Sequence, residues 1–391
     1  MSFSRARRGT LTLAVASLLT LAAGQAVAAP AAPGAPAAAP GPVRIADGAR
    51  VGQIEQVVAR DLAVSLADAR WRSQVRAGAA AGAVPLSSLT SGAAAPAARA
   101  LAGTVAEADR RIAAAKGLGS DLGPLLRLQL ADPSMRPALD AGAEPLVAAA
   151  TGDDHAKTVT AYDPAGRAHT LDTREVPGSP VYLVDVDSTR AMTAGLRVLG
   201  DELARRGLNS PATTATPATP ATTATTAAAG WWATKVDAIE VSDDEEPWFK
   251  GGAEMFALVT GFGQDGKPRV DSVTMPYLDY DGTVYYPNQI LVNWSNYKYN
   301  LADVVLMEDD GDTNYLALAQ AIAAVLLTIA DQGAYIPLVN AVLAAMPGSW
   351  WTDDPDYVDS WYTLARNSSG RLNGAAANGW MNVSPYFVQQ F

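Results

Sequence analysis

A low-complexity stretch, residues 209–230, divides the chain into two parts of different composition. Between Ser210 and Gly230 it contains only Pro, Ala and Thr. Such a sequence has too few large apolar side chains to bury a core, so it indicates an extended linker. Because each flanking part is long enough to form its own core, the sequence predicts two domains, at residues 44–208 and 231–391.

The two parts also differ in charge. From Gly230 onward there are 21 acidic and 7 basic residues, a net charge of −14, while the whole chain carries −11, so the remainder is near +3. Eight of the nine Trp residues also lie in the acidic part. A domain this acidic repels phosphate groups, so we expect no nucleic-acid partner.

The amino terminus predicts export. Basic residues precede an apolar run at residues 11–23, and Ala26-Val27-Ala28 offers a small-residue cleavage site. We therefore interpret residues 1–28 as a signal peptide and the Ala/Pro-rich residues 29–43 as a flexible tether. The chain contains no Cys, so it has no disulfides, and a secreted, extracellular protein of this kind can gain stability from a bound metal instead.

Residues 44–208 are predicted to be an Ala-rich helical region with a small β-hairpin unit. Apolar residues recur at three- and four-residue steps from Gln53 to Leu66, which is typical of a helix. The other predicted elements are helices at Ala98–Lys116, Leu122–Leu130 and Arg190–Arg206, and strands at Lys157–Tyr162, Arg167–Asp172 and Pro180–Val186.

Residues 231–391 are predicted to be an antiparallel β-sandwich with a helical hairpin inserted at residues 315–346, which gives the whole chain an α+β multi-domain class. The predicted strands are Lys235–Ser242, Ala253–Phe262, Val270–Met275, Thr283–Trp294, Asp303–Met307, Val358–Leu364 and Gly379–Val383. The apolar hairpin could enter a membrane, but each half is shorter than the roughly 20 residues that a span requires. The sequence favours a hairpin packed on the sandwich.

Three clusters of acidic residues follow predicted strands in this part. Carboxylates this close together repel one another unless they are solvated or bind a cation, and calcium prefers six to eight oxygen ligands on flexible loops. The predicted calcium ligands are Asp243, Asp244, Glu246, Glu308, Asp309, Asp310, Asp312, Asp354 and Asp356. The alternative is three solvated acidic turns that keep the protein soluble.

The segment Ile239–Phe256 resembles the signature of a family of secreted bacterial proteins known only as a domain of unknown function. Leu306–Asp312 and Asp353–Tyr362 resemble its later acidic segments. The resemblance covers mainly residues 231–391, and it extends more weakly to the helices after Gly52. The arrangement is also similar to that of calcium-binding β-sandwiches of the synaptotagmin type. The resemblance implies export and a β domain, and it implies no known activity.

No motif for a catalytic nucleophile, a zinc site or a phosphate-binding loop is present in the sequence. The sequence therefore favours a secreted, calcium-binding protein with a non-catalytic role in binding an extracellular ligand or a cell surface. One alternative is an extracellular hydrolase that uses the acidic-loop carboxylates or a site near His155. Another is a membrane-active protein that uses the apolar hairpin.

Overall fold

The structure is a computed structural model that describes residues 50–80, 82–150, 156–209, 229–242, 254–309, 311–346 and 357–389. The predicted signal peptide, the tether and most of the linker lie outside these residues. The segment Pro42–Phe391 forms one compact unit. Its largest hydrophobic core contains residues from both sides of the predicted linker, and the division into two domains stays a prediction.

The helices explain the apolar periodicity of the sequence. They are α1 (Val51–Ser65), α2 (Ala69–Ala80), α3 (Leu86–Thr90), α4 (Pro96–Ala115), α5 (Arg136–Asp140), α6 (Ser188–Arg205), α7 (Tyr315–Leu326) and α8 (Val339–Ala345). In α1 the residues Ile54, Val58 and Leu62 recur every four positions and are all buried. Pro96 opens α4, where a residue without an amide proton costs no hydrogen bond.

The first sheet is larger than the predicted hairpin unit. Its strands are β1 (Val84–Pro85), β2 (Leu126–Leu130), β3 (Leu146–Ala149), β4 (Thr158–Tyr162), β5 (Ala168–Asp172) and β6 (Val181–Val186), in the order β1-β2-β6-β3-β4-β5. Only β3 and β6 pair in parallel. The predicted helix at Leu122–Leu130 is wrong, because Leu126, Leu128 and Leu130 alternate with polar residues and form β2.

The second half contains the predicted sandwich. Its strands are β7 (Gly230–Val241), β8 (Met255–Phe262), β9 (Pro268–Met275), β10 (Gln289–Asn293), β11 (Leu301–Glu308), β12 (Tyr357–Ala365), β13 (Gly370–Asn373) and β14 (Gly379–Gln389). They form two antiparallel sheets: the outer sheet, β10-β7-β14-β13, and the central sheet, β12-β11-β8-β9. The strand predicted at Thr283–Trp294 is shorter, because Gln289–Asn293 pairs with β7, with a register shift between Ile290 and Val292, while Tyr285 forms only an isolated bridge to Ile239.

The central sheet is buried on both faces. All eight residues of β8 are buried, and their side chains alternate between two cores. Met255, Ala257 and Val259 pack in the core between the two sheets. Phe256 and Leu258 pack in the large core that also contains the helices. A strand covered on both faces needs a continuous apolar sequence, which is why β8 and β11 lack the usual polar alternation.

The inserted helices α7 and α8 pack inside the protein, within bounds shorter than predicted. Leu318, Ile322 and Leu326 of α7 and Val339 and Val342 of α8 have at most 1% of their surface exposed. At the start of α7 the ring of Tyr315 lies directly on the backbone of α6 at Gly195. Only a residue without Cβ permits this approach.

We expect Gly195→Ala to lower the free energy of unfolding by about 1–3 kcal/mol, because the new methyl group would overlap the buried Tyr315 ring. Gly200→Ala is the matched control in the same helix, since its methyl group meets only Asn209 Nδ2, at 3.7 Å. Removing the flexibility of glycine there should raise stability by up to about 1 kcal/mol. Urea unfolding of both variants measures the difference, and equal effects would contradict this packing.

Candidate functional site

The acidic loop after β11 leads directly into helix α7. The side chain of Asn314 accepts a hydrogen bond from the Ala317 amide at 2.9 Å and so caps the start of the helix. The same side chain donates to the carbonyl of Ala115, at 2.7 Å, and the Tyr315 amide donates to the carbonyl of Lys116, at 3.1 Å. The last carbonyls of α4 thus find their donors at the first residues of α7.

Close contact between these two helix ends depends on Gly117. This residue has φ of +67° and follows the last turn of α4, where a left-handed residue commonly ends a helix. A Cβ at Gly117 would lie 2.6 Å from Asn314 Oδ1. The negative end of one helix dipole therefore meets the positive end of the other, which is favourable.

A buried ion pair lies beside this junction. Lys116 Nζ is 3.2 Å from Asp309 Oδ1 and 3.1 Å from the carbonyl oxygen of Gly311, and the two charged side chains are 1% and 0% exposed. Burial raises the pKa of Asp309, and the charge of Lys116 opposes that shift. An ammonium group thus accompanies one of the carboxylates that the sequence assigns to a metal.

The predicted metal ligands do not come together among the described residues. Glu308 and Asp309 are buried, and Asp312 Oδ1 accepts a hydrogen bond from the Val51 amide, at 2.9 Å, at the start of α1. The other predicted ligands, Asp243, Asp244, Glu246, Asp310, Asp354 and Asp356, lie outside the described residues. Within the described part of the chain, no three acidic or histidine side chains are placed to share a metal ion. Calcium binding stays a prediction.

Two further buried aspartates accept hydrogen bonds from backbone amides, and the first of them is Asp359. Asp359 accepts hydrogen bonds from the amides of Ser360, Ala376, Asn378 and Gly379, at 2.7–3.0 Å. Carboxylates whose lone pairs are filled by backbone amides have a structural role.

Asp303, in the middle of β11, binds the amide of Leu338 at 2.6 Å and the amide of Thr363 at 2.7 Å. It thereby connects the start of α8 to strand β12. Burial raises the pKa of Asp303, and the backbone hydrogen bonds oppose that shift.

The acid that sequence reasoning missed is Glu254, immediately before β8. The hydroxyl of Ser188, in the first turn of α6, donates to its carboxylate, and Thr189 Oγ1 lies 3.4 Å from the same oxygen. Nearby, Arg127 on β2 and Asp185 on β6 form an ion pair at 2.7 Å. Asp185 is the one acidic residue in the apolar run of β6, and that position was the available signal in the sequence.

The carboxyl of Glu254 has a raised pKa. Burial raises its pKa to about 7, and the charges of Asp185 and Asp309 act in the same direction, while the Ser188 hydrogen bond and Arg127 oppose them. A carboxyl group with a pKa near neutrality can donate or accept a proton under physiological conditions. Glu254 and its neighbours are therefore a candidate site for acid–base chemistry.

Of the two histidines that could take part in catalysis, the structure describes His169. His169 Nε2 lies 3.0 Å from Asp163 Oδ2 in the β4–β5 hairpin, and this contact is the main cause that lowers the pKa of Asp163. His155 lies outside the described residues.

A different surface presents aromatic rings to solvent. Along β14, Met381 and Val383 point into the sandwich core, so Trp380, Asn382, Ser384 and Tyr386 share the opposite face of the outer sheet. Tyr386 is 46% exposed. We call this surface the outer face.

Charged residues accompany both rings. The guanidinium of Arg371 lies 4.0 Å from the centre of the Trp380 ring, and Lys235 Nζ lies 5.7 Å from the centre of the Tyr386 ring. Lys235 also pairs with Asp237 at 2.7 Å. The outer face therefore combines stacking surfaces with hydrogen-bonding groups.

Together these features define a mixed α+β protein that joins a six-stranded sheet to an antiparallel sandwich and in which Asp303, Asp309 and Asp359 have structural partners. The chain belongs to the DUF3103 family, described as a protein of unknown function, whose model matches residues 55–391. The predicted relation to a domain-of-unknown-function family is confirmed, and the match includes the helical half as well as the acidic half. No curated protein and no solved structure matches the chain.

We expect Lys116→Met to lower the free energy of unfolding by about 3–5 kcal/mol, because it leaves the Asp309 carboxylate buried without its ammonium partner. The double variant Lys116→Met/Asp309→Leu should recover most of this loss. The control Lys267→Met breaks an exposed pair with Asp265 and should cost under about 1 kcal/mol. Urea unfolding measures all three, and a Lys116→Met variant as stable as the control would refute the role of the pair.

Glu254 predicts a pH dependence of stability. Its folded-state pKa of about 7 lies above the ordinary value of 4.5, so its contribution to stability is present below pH 4.5 and is lost as the pH rises through 7. Gln at this position keeps an acceptor for Ser188 and cannot ionise. Glu254→Gln should therefore be more stable than the wild type at pH 8 by about 2–3 kcal/mol, and the difference should shrink toward low pH.

Glu107→Gln is the control for this measurement, because hydrogen bonds from Arg111 and Arg110 lower the pKa of Glu107. The contribution of Glu107 is present at high pH, so its removal should not stabilise the protein at pH 8. Identical pH profiles for the wild type and Glu254→Gln would show that the carboxyl titrates normally.

Proposed function

We propose that this protein is a secreted, calcium-stabilised binding protein that holds an extracellular ligand on the outer face. The observation that carries the proposal is the pair of rings, Trp380 and Tyr386, on one solvent-facing side of β14. Six residue steps along the strand separate them, which corresponds to about 20 Å. Between them, Asn382, Ser384 and Lys235 offer donors and acceptors.

The placement of the described carboxylates also supports a non-catalytic role. The carboxylates of Asp303 and Asp359 accept hydrogen bonds from backbone amides, and Asp309 forms an ion pair with Lys116. Such groups stabilise the fold and are withdrawn from chemistry on a ligand.

Export and calcium binding are supported by sequence features alone. The apolar run at residues 11–23 with its basic start suits a signal peptide, and the absence of Cys leaves a secreted protein without disulfides. Acidic residues follow several strands of the sandwich, as expected for calcium-binding loops.

An extracellular hydrolase is the second candidate, and Glu254 favours it. A half-buried carboxyl with a pKa near 7, hydrogen-bonded to Ser188 and close to Arg127 and Asp185, has the protonation behaviour of a general acid or base. If this candidate is correct, Glu254→Gln abolishes activity on the polymer that the protein binds.

The membrane-active alternative gains no support from the inserted hairpin. One face of each helix is buried in the large core, through Leu318, Ile322 and Leu326 of α7 and Val339 and Val342 of α8. Among the residues that the structure describes, no helix has both the length and the apolar character needed to cross a membrane.

The binding proposal is tested by sedimentation of the labelled protein with purified bacterial cell walls. We expect the wild type to sediment in millimolar calcium, and Trp380→Ala/Tyr386→Ala to bind at least about tenfold more weakly, because each lost ring removes about 1 kcal/mol. Tyr280→Ala is the control, since Tyr280 is 67% exposed and lies in the β9–β10 loop. Equal sedimentation of all three proteins would contradict the proposal.

The role of calcium is tested in the same samples by replacing the calcium in the buffer with a chelator. We expect the chelator to lower the melting temperature, because a ligand of the folded state stabilises it by mass action. An unchanged melting temperature would contradict calcium binding. Ligand binding on the outer face would then be judged by the sedimentation result alone.

A further inference from the structure

A cavity of about 420 Å³ lies at the edge of the sandwich, where β12 of the central sheet and β13 of the outer sheet approach each other. We call it the edge cavity. Side chains from β12, the turn after it and β13 line it, among them Ser360, Tyr362, Thr363, Ser368 and Arg371. Its volume lies within the range of sites that hold small molecules.

One wall of the edge cavity is held in a strained conformation. Thr363 has φ of +55°, which is rare for a β-branched residue and costs energy. The carboxylate of Asp303, itself fully buried, fixes this conformation by accepting the Thr363 amide at 2.7 Å. Strain that a dedicated buried group maintains is common at sites that recognise ligands.

The polar groups of the lining favour an anion. Among the described residues that line the edge cavity, Arg371 is the only charged one and none is acidic. Asp359 lies next to Ser360 in sequence, but both of its carboxylate oxygens bind backbone amides. A guanidinium group binds a carboxylate or phosphate through two parallel hydrogen bonds.

The remaining groups of the lining suit a hydroxylated ligand. Ser368 and Thr363 carry hydroxyl groups, and the Ser368 hydroxyl accepts a hydrogen bond from the Ala365 amide at 3.0 Å, which leaves its proton to donate. The ring of Tyr362 is 41% exposed, and its hydroxyl bonds Asn340 Oδ1 at 2.9 Å, which fixes its position. An aromatic ring beside hydroxyl groups matches the apolar face and the polar rim of a sugar.

Arg371 also connects the edge cavity to the outer face. Its guanidinium lies over Trp380, and in the sheet Arg371 pairs with Asn382 of β14. Trp380 Nε1 in turn donates a hydrogen bond to the Glu240 carboxylate. A polymer that places one unit in the edge cavity therefore passes Arg371, Trp380 and this acid on its way toward Tyr386.

We propose that the edge cavity binds an acidic sugar unit of a polysaccharide, with the sugar carboxylate on Arg371 and the rest of the chain on the outer face. This rests on the proposed binding function and gives its ligand a chemical class. The acidic unit provides the specificity, and the aromatic rings of the outer face provide contacts that do not depend on charge.

The test compares tetragalacturonic acid with neutral galactotetraose by titration calorimetry. The wild type should bind the acidic oligomer at least tenfold more tightly than the neutral one, and added salt should reduce the difference. Arg371→Gln should bind both oligomers with similar affinity, and Arg371→Lys should keep part of the preference for the acid.

Arg366→Gln is the matched control, because the Arg366 guanidinium lies 5.6 Å from the Trp232 ring and does not line the edge cavity. It should bind the acidic oligomer as the wild type does. Equal binding of both oligomers by the wild type, no binding of the acid, or unchanged binding by Arg371→Gln would overturn the acidic-sugar proposal. Sedimentation with cell walls distinguishes failure of the acidic-sugar proposal from failure of the proposed binding function. If sedimentation of the wild type persists, only the acidic-sugar proposal fails. If it is absent, the binding function fails too.

Discussion

Burial of the central sheet on both faces is the constraint on which the rest of the structure depends. Alternate side chains of β8 and β11 supply one core against the outer sheet and another against the helices. Buried polar groups in such a sheet are mostly hydrogen-bonded within the protein. Asp303 meets this requirement by binding the backbone at Leu338 and Thr363, so the burial of one strand also positions the inserted helix and the wall of the edge cavity.

The two halves of the chain are joined by contacts of long sequence separation. The end of α4 and the start of α7 complete each other's backbone hydrogen bonds, and Lys116 reaches Asp309, 193 residues away. Tyr315 packs on α6 at Gly195 and extends this junction. The low-complexity segment at residues 209–230 therefore connects two parts that also share one core.

Short sequence patterns correctly predict the helices and strands in which the pattern of burial is the same along the whole element. The helical period of α1 and the continuous apolar run of β8 reflect one covered face and two covered faces, and each is visible in a short window. The five residues of β2 are too short for the alternation at Leu126 and Leu128 to be distinguished from a helical pattern, and the sequence predicts a helix there. For the acidic loop, the sequence shows only part of the environment of the carboxylates. Charges adjacent in sequence are visible, whereas a cation such as Lys116, brought from another helix, is not.

The same limitation applies to net charge as a guide to ligands. The residues from Gly230 onward carry a net charge of −14, which argues against any anionic partner if the charge is treated as uniform. Electrostatic interactions at the surface are screened beyond about 8–10 Å at physiological ionic strength, so a ligand responds to the few groups next to it. Asp359, the acid nearest in sequence to the lining of the edge cavity, is occupied by backbone amides, and Arg371 is the charge that the lining presents. Whether an anion can bind at one site of an acidic protein therefore depends on which nearby carboxylates are already hydrogen-bonded within the fold.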